Sequence, residues 1–127
     1  MTDRPSDSAK LVVVIDDDPL VLEATAGLLD SWGFQTITAT SYADLLRKLT
    51  ESGRRPDLII CDYRLSEESN GIDVIRDLRN VYEIPALLIS GDPVAMADQG
   101  SDVGYCLLQK PLNIASLRAA LIGASVL

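Results

Sequence analysis

The chain reads as one α/β domain, an open, doubly wound parallel sheet of five strands with helices on both faces. Three observations predict this. Short apolar runs alternate with amphipathic stretches from residue 11 onward. Three of those runs, LVVVI, DLIIC and ALLIS, are apolar at almost every position, as strands covered on both faces must be. The length, with 47% hydrophobic and 24% charged residues, suits one domain of ordinary size and leaves little room for a second.

The elements follow in order. Residues 1–9 are polar and read as a flexible leader to a domain over 10–127. The first strand is 11–15, and Leu20, Leu22, Ala24, Leu28 and Leu29 recur at three-to-four spacing after it, the mark of an amphipathic helix. Pro19 suits that helix's first turn and Gly33 closes it after Trp32. A second strand is expected over 34–39, then a helix carrying Tyr42, Leu45, Leu46 and Leu49, capped by Ser41 and ended by Gly53. The third strand is placed at 57–61, and Ile72, Val74, Ile75, Leu78 and Val81 mark a third helix that ends before Pro85. The fourth strand is 86–90. Residues 93–103 hold Gly100 and few apolar residues at helical spacing, which predicts a short or frayed helix. A fifth strand follows at 105–109, and Leu112, Ile114, Leu117, Ala120 and Leu121 mark the last helix. The second and fifth strands are less uniformly apolar, which places them nearer the edges.

Composition excludes several function classes. Nineteen acidic against eleven basic residues give a net charge of −8, whereas binding to a phosphate backbone relies on clustered Lys and Arg. Direct nucleic-acid contact is therefore not expected. Cys61 and Cys106 lie inside apolar runs without a Cys or His at ligand spacing, so both read as buried reduced thiols, and a cytoplasmic location follows. The first residues lack the apolar core of a signal peptide, and no apolar run approaches the ~18 residues that a membrane helix requires.

In a doubly wound sheet, ligands bind beyond the carboxyl ends of the strands. Asp16, Asp17 and Asp18 follow the first strand, Asp62 the third, Ser90 ends the fourth and Lys110 follows the fifth, so residues far apart in sequence share one rim. Magnesium takes hard oxygen ligands in octahedral geometry and keeps some waters, and two or three carboxylates with a backbone carbonyl make a suitable half-cage. Carboxylates so close repel one another. A metal and a lysine ammonium offset that charge and stabilise a phosphoryl group in transfer to a carboxylate. Singly, each piece has a plainer reading: a solvated turn, a capping serine, a Lys-Pro loop.

Taken in order, VVVIDDDPLVLE, LIICDYRL followed by NGIDVIRDLR, LLISGD and LLQKPL resemble the receiver domains of two-component response regulators, over essentially residues 10–125. The resemblance implies a flavodoxin-like sheet of strand order 2-1-3-4-5. It implies that Asp62 is the phosphoacceptor, taking a phosphoryl group from a partner's phosphohistidine to form an aspartyl phosphate. Asp17 and Asp62 would bind Mg2+ with the backbone carbonyl of Arg64, and Asp16 would assist through water. Lys110 would pair with the phosphoryl group and Ser90 would be the switch hydroxyl, while Asp18 would favour only the helix N-terminus that follows. Such a domain is not an enzyme acting on a separate substrate; it would catalyse its own phosphorylation and slow dephosphorylation. The chain has no histidine, so a histidine kinase or phosphotransfer protein must act in trans or from a parent chain. The last helix stops within a few residues of Leu127, and no DNA-reading domain is expected here. DYRL, the Ser-Gly after the fourth strand and LLQKP are similar to receivers at the C-terminal ends of hybrid sensor histidine kinases, which favours an excised receiver slightly over a free-standing regulator.

Against the usual receiver pattern, Leu107 occupies the switch position three before Lys110, where an aromatic is common. Tyr105 shares that residue's strand face, and its expected role is packing. Segment 93–103 falls where receivers carry the helix used for dimer or output contacts. Ser66 replaces a common proline, and Glu67 and Glu68 lie nearby as solvated charges. Two other classes compete. Asp16 and Asp18 have the Asp-x-Asp spacing of haloacid dehalogenase-type phosphohydrolases, but Leu20 departs from that motif, the chain is short for that fold, and Asp62 would have no role. A non-phosphorylated interaction module with the receiver fold is the other alternative, and the intact Asp cluster and Lys110 count against it.

Overall fold

The structure, a computed structural model, describes residues 10–65, 70–91, 106–110 and 113–124. Its elements are β1 (Leu11–Ile15), α1 (Pro19–Ser31), β2 (Gln35–Ala39), α2 (Tyr42–Ser52), β3 (Leu58–Asp62), α3 (Gly71–Val81), β4 (Ala86–Ser90), β5 (Cys106–Gln109) and α4 (Ile114–Gly123). The expectations for the leader 1–9, for Ser66, Glu67 and Glu68, for segment 93–103, for Tyr105 and for the side chain of Leu107 lie outside the described residues.

The five strands form one parallel sheet in the order β2-β1-β3-β4-β5, with the two less apolar strands at its edges as expected. The reversal of strand order between β1 and β3 opens a crevice at their carboxyl ends. Alternation along the strands sorts the core into two layers. Val13, Ile15, Ile59, Cys61 and Leu88 face Leu45 and Leu49 of α2 and Ile75 and Leu78 of α3. Val12, Val14, Leu58, Ile60 and Leu87 face Leu22 and Leu29 of α1 and Leu117 and Leu121 of α4. Every residue of β1, β3 and β4 is buried. Their near-continuous apolar sequences are thus the direct consequence of being covered from both sides.

Helix ends follow local chemistry. Pro19 opens α1 and Trp32 closes it, with Gly33 beyond at φ 91°. Ser41 caps α2 by accepting from Asp44 N–H, and Gly53 ends that helix in the left-handed region at φ 65°. Asn70 and Asn113, which periodicity alone does not single out, cap α3 and α4.

Several expected boundaries and faces shift. β3 runs over 58–62 rather than 57–61 because Asp57 serves as a clasp, its N–H donating to Leu11 O at 2.7 Å and its carboxylate accepting from Leu11 N–H at 2.8 Å. Asp62 is the strand's last paired residue, opposite Ile89. β2 begins at Gln35 because the N–H of Phe34 still donates to Leu29 O at the end of α1. β5 is described from Cys106 and α4 begins at Ile114, with Leu112 outside the described residues. On α1 the buried residues are Leu22, Thr25 and Leu29, while Leu20 is 76% exposed and Ala24 is exposed too. Leu46, Val81 and Ile114 are likewise exposed. An apolar stripe read at three-to-four spacing is wider than the face the sheet covers.

Candidate functional site

The crevice is built from strand ends. Asp16 follows β1, and its N–H donates to Ala39 O at 3.1 Å, which draws the residue into the sheet's rim and leaves it 4% exposed. Its Oδ1 then accepts the Asp18 N–H at 2.9 Å, turning the chain back over the strand end. Asp18, in an extended conformation, caps α1 by accepting from Leu20 N–H at 2.9 Å, the role expected of it. Asp17 between them stands exposed.

Asp62 reaches the same point from β3. Tyr63 N–H donates to Ile89 O at 2.8 Å, so the chain stays paired to β4 past the strand's end, and Asp62 is buried. The Arg64 N–H favours the charged form of the Asp62 carboxylate. Lys110 is anchored by its own N–H donating to Ser90 O at 2.8 Å. Its Nζ lies 3.1 Å from Asp62 Oδ1 and 3.8 Å from Asp16 Oδ2.

Electrostatics follow from burial and crowding. Burial raises the carboxyl of Asp16 from 3.8 to about 6; the Asp18 N–H and Lys110 pull it down, while Asp62 and Asp17 add to the rise. Burial likewise raises Asp62, against the lowering effect of Lys110 and the Arg64 N–H. For Lys110, partial burial works against the charged form, but the surrounding carboxylates outweigh it and the ammonium titrates above its usual range. Among the described residues Lys110 therefore stands as one cation against the carboxylates of Asp16, Asp17 and Asp62. The site is short of positive charge.

A divalent metal fits that deficit. Carboxylate oxygens from Asp16, Asp17 and Asp62 all lie within 4.8 Å of one another, and an all-oxygen donor set with an exposed member suits a hard cation that keeps water. The expected residues Asp16, Asp17, Asp62 and Lys110 are thus brought together. Ser90 ends β4, is buried, and sits in register with Gln109. Arg64 follows two residues after Asp62, its main chain bridged to Asn70. Leu107 pairs with Leu88 in the sheet.

Two features escaped the sequence reading. A groove of about 1030 Å³ runs from Asp16 and Lys110 along Val21, Ala24 and Leu28 of α1 to Ile114. Buried Thr25 is among its lining residues, a polar residue on the inward face of α1 that an apolar-periodicity reading passes over. The second is Gly71, packed on the backbone of Asp62. Its sequence signal is the Asn-Gly pair that opens NGIDVIRDLR at the start of the third helix.

Comparison with known proteins agrees with this geometry. The family model described as the response regulator receiver domain matches residues 12–122. The chain is 39% identical over 119 residues to the transcriptional regulatory protein KdpE of Mycobacterium tuberculosis, covering 87% of this chain and 50% of that one. It is 26% identical over 116 residues to the phyllosphere-induced regulator PhyR of Methylorubrum extorquens, covering 91% and 43%. The chain thus spans about half the length of these curated relatives. Among solved structures, the response regulator receiver protein from Sinorhizobium medicae superposes with a TM-score of 0.80 at 26% identity, over 94% of this chain and 96% of that one.

Proposed function

Since the chain belongs to the response regulator receiver domain family, we propose that it is the phosphoacceptor module of a two-component phosphorelay, with Asp62 receiving the phosphoryl group from a phosphohistidine. The donor is a histidine kinase or phosphotransfer protein, in trans or within a parent hybrid kinase. The observation that carries this reading is the constellation itself, three carboxylates with oxygens within 4.8 Å and a lysine 3.1 Å from one of them.

In the transfer, a carboxylate oxygen of Asp62 forms the new O–P bond while the N–P bond breaks and the imidazole leaves with its electron pair. Little covalent chemistry is asked of the protein, so positioning and charge neutralisation carry the rate. Lys110 favours the ionised form of Asp62 and presents an ammonium to the incoming phosphoryl oxygens. The Arg64 N–H adds to the lowering effect of Lys110 on the Asp62 carboxyl. Ser90 donates its hydroxyl to a phosphoryl oxygen after transfer. The carboxylates of Asp17 and Asp62 and the Arg64 carbonyl, with Asp16 through water, would hold Mg2+, which would supply the positive charge the site lacks. Hydrolysis of the aspartyl phosphate by water makes the domain a slow phosphatase of itself, with no separate substrate.

Other parts of the reading rest on composition and packing. Cys61 is a free thiol buried in an apolar strand, which supports a reducing, cytoplasmic setting; burial raises it well above the usual thiol range. Among the described residues no helix is long and apolar enough to cross a membrane. A net charge of −8 supports a partner that is protein rather than nucleic acid for this module. The groove beside α1, open to Asp16 and Lys110, supports approach of the donor from that side.

The test is incubation with Mg2+ and acetyl phosphate, read by intact mass. One phosphoryl group is expected on the wild type and none on Asp62→Asn. No uptake from any donor would leave the non-phosphorylated interaction module as the better account.

A further inference from the structure

We infer that Gly71, at the start of α3, is a positioning residue for the metal site, holding the Asp62–Arg64 backbone in the register that lets the Arg64 carbonyl face the carboxylates. The inference rests on the proposed Mg2+ site and goes beyond it. A Cβ placed on Gly71 would collide with the carbonyl oxygen of Asp62, and it would lie 3.0 Å from the carbonyl carbon and 2.6 Å from Leu88 Cδ1. Among the described residues no other glycine has anything within 4 Å of such an atom. Gly33 and Gly53 are needed for their positive φ; Gly71 has no such backbone and is needed for space alone.

That space is used. The Gly71 N–H donates to Tyr63 O at 2.7 Å, while Tyr63 N–H donates to Ile89 O at 2.8 Å. Arg64 forms an isolated antiparallel bridge with Asn70, and Asn70 also caps α3 through Asp73 N–H at 3.0 Å. The stretch from Asp62 to Arg64 is therefore clasped between β4 on one side and the first residues of α3 on the other. The phosphoacceptor and the carbonyl ligand are thereby set by one pin. Because two of the three obstructing atoms belong to the Asp62 main chain, movement of the Leu88 side chain alone does not make room, and a side chain at 71 must displace either the helix start or the backbone that carries both groups.

The experiment is titration of the unphosphorylated chain with Mg2+ alone, by calorimetry, alongside thermal melts. Gly71→Ala is expected to weaken Mg2+ binding by about tenfold or more, as loss of supporting contacts around a metal does. Gly53→Ala, strained and remote, should melt earlier and bind Mg2+ as the wild type does. A folded Gly71→Ala with wild-type affinity would overturn the inference. So would full recovery of affinity on adding Leu88→Ala, since the fault would then lie with the Leu88 contact rather than with Asp62. If Gly71→Ala does not fold, Asn70→Ala loosens the same helix start without adding bulk; weaker binding that Asn70→Ser restores supports the pin, and unchanged binding overturns it. A wild type that binds no Mg2+ would refute the metal reading itself, a result distinct from a wild type and Gly71→Ala that bind alike.

Discussion

Replacing Asp16 by Asn should stabilise the metal-free protein at neutral pH. In the folded chain burial raises this carboxyl from 3.8 to about 6, so the protein holds the Asp16 proton more tightly than the unfolded chain does. Stability then falls as pH rises from about 4 through about 6 and levels off above, because the unfolded chain is the first to profit from ionisation. At about 1.36 kcal/mol per pKa unit the cost of the ionised carboxylate reaches an upper value of about 3 kcal/mol at pH 7.5 and only about 1 kcal/mol at pH 4.5. Asn keeps an oxygen to accept the Asp18 N–H, now 2.9 Å from Asp16 Oδ1, while shedding the charge. Urea melts in a chelator should therefore favour Asp16→Asn by up to about 3 kcal/mol at pH 7.5, or about 10 °C in Tm, with most of the gain gone at pH 4.5. Mg2+ at about 100 times its Kd would add about 2.7 kcal/mol to the wild type, and it narrows the variant's advantage by as much as loss of the Asp16 carboxylate weakens the variant's own Mg2+ binding. A variant less stable than wild type at pH 7.5 in chelator, or one equally advantaged at both pH values, would refute the reasoning that these carboxylates are held together at a cost.

Lys110→Ala removes the ammonium 3.1 Å from Asp62 and should slow phosphoryl uptake from acetyl phosphate by about 100-fold or more; mass-resolved time courses check this, with far-UV circular dichroism unchanged. Tyr42→Phe deletes the hydroxyl that donates to Asp77 at 2.8 Å between α2 and α3, expected to cost about 1 kcal/mol in a urea melt and to leave uptake at the wild-type rate. Asn113→Ala removes the oxygen that accepts from Ala115 N–H and Ser116 N–H, and should cost about 1 kcal/mol by the same measurement.

What could be read from the sequence and what could not divides by range of interaction. The apolar runs of β1, β3 and β4 declare themselves because burial from both sides demands it at every position. Asp16, Asp17, Asp62 and Lys110 were legible because strand ends of a doubly wound sheet converge, so position along the chain predicts position on the rim. Asp57 was read as strand because its neighbours are apolar. Its actual partner, Leu11, lies 46 residues away, and no local pattern carries that. Leu20 and Ala24 belong to the apolar spacing of the first helix and yet are exposed for a related reason: periodicity reports which side of a helix is apolar, whereas only packing reports how much of it the sheet covers. Gly71 is the extreme case. Its constraint is the carbonyl of Asp62 and the side chain of Leu88, and sequence shows only a glycine at a helix start.

The central claim is that Asp62 carries the phosphoryl group at a Mg2+-dependent site, and chemical trapping addresses it most directly. Reduction of the acetyl phosphate-treated chain with borohydride converts an aspartyl phosphate to homoserine, which peptide mass mapping locates. The account predicts homoserine at position 62 with Mg2+ present and none in a chelator. Homoserine at 16, 17 or 18 instead, or equal labelling without metal, would contradict it.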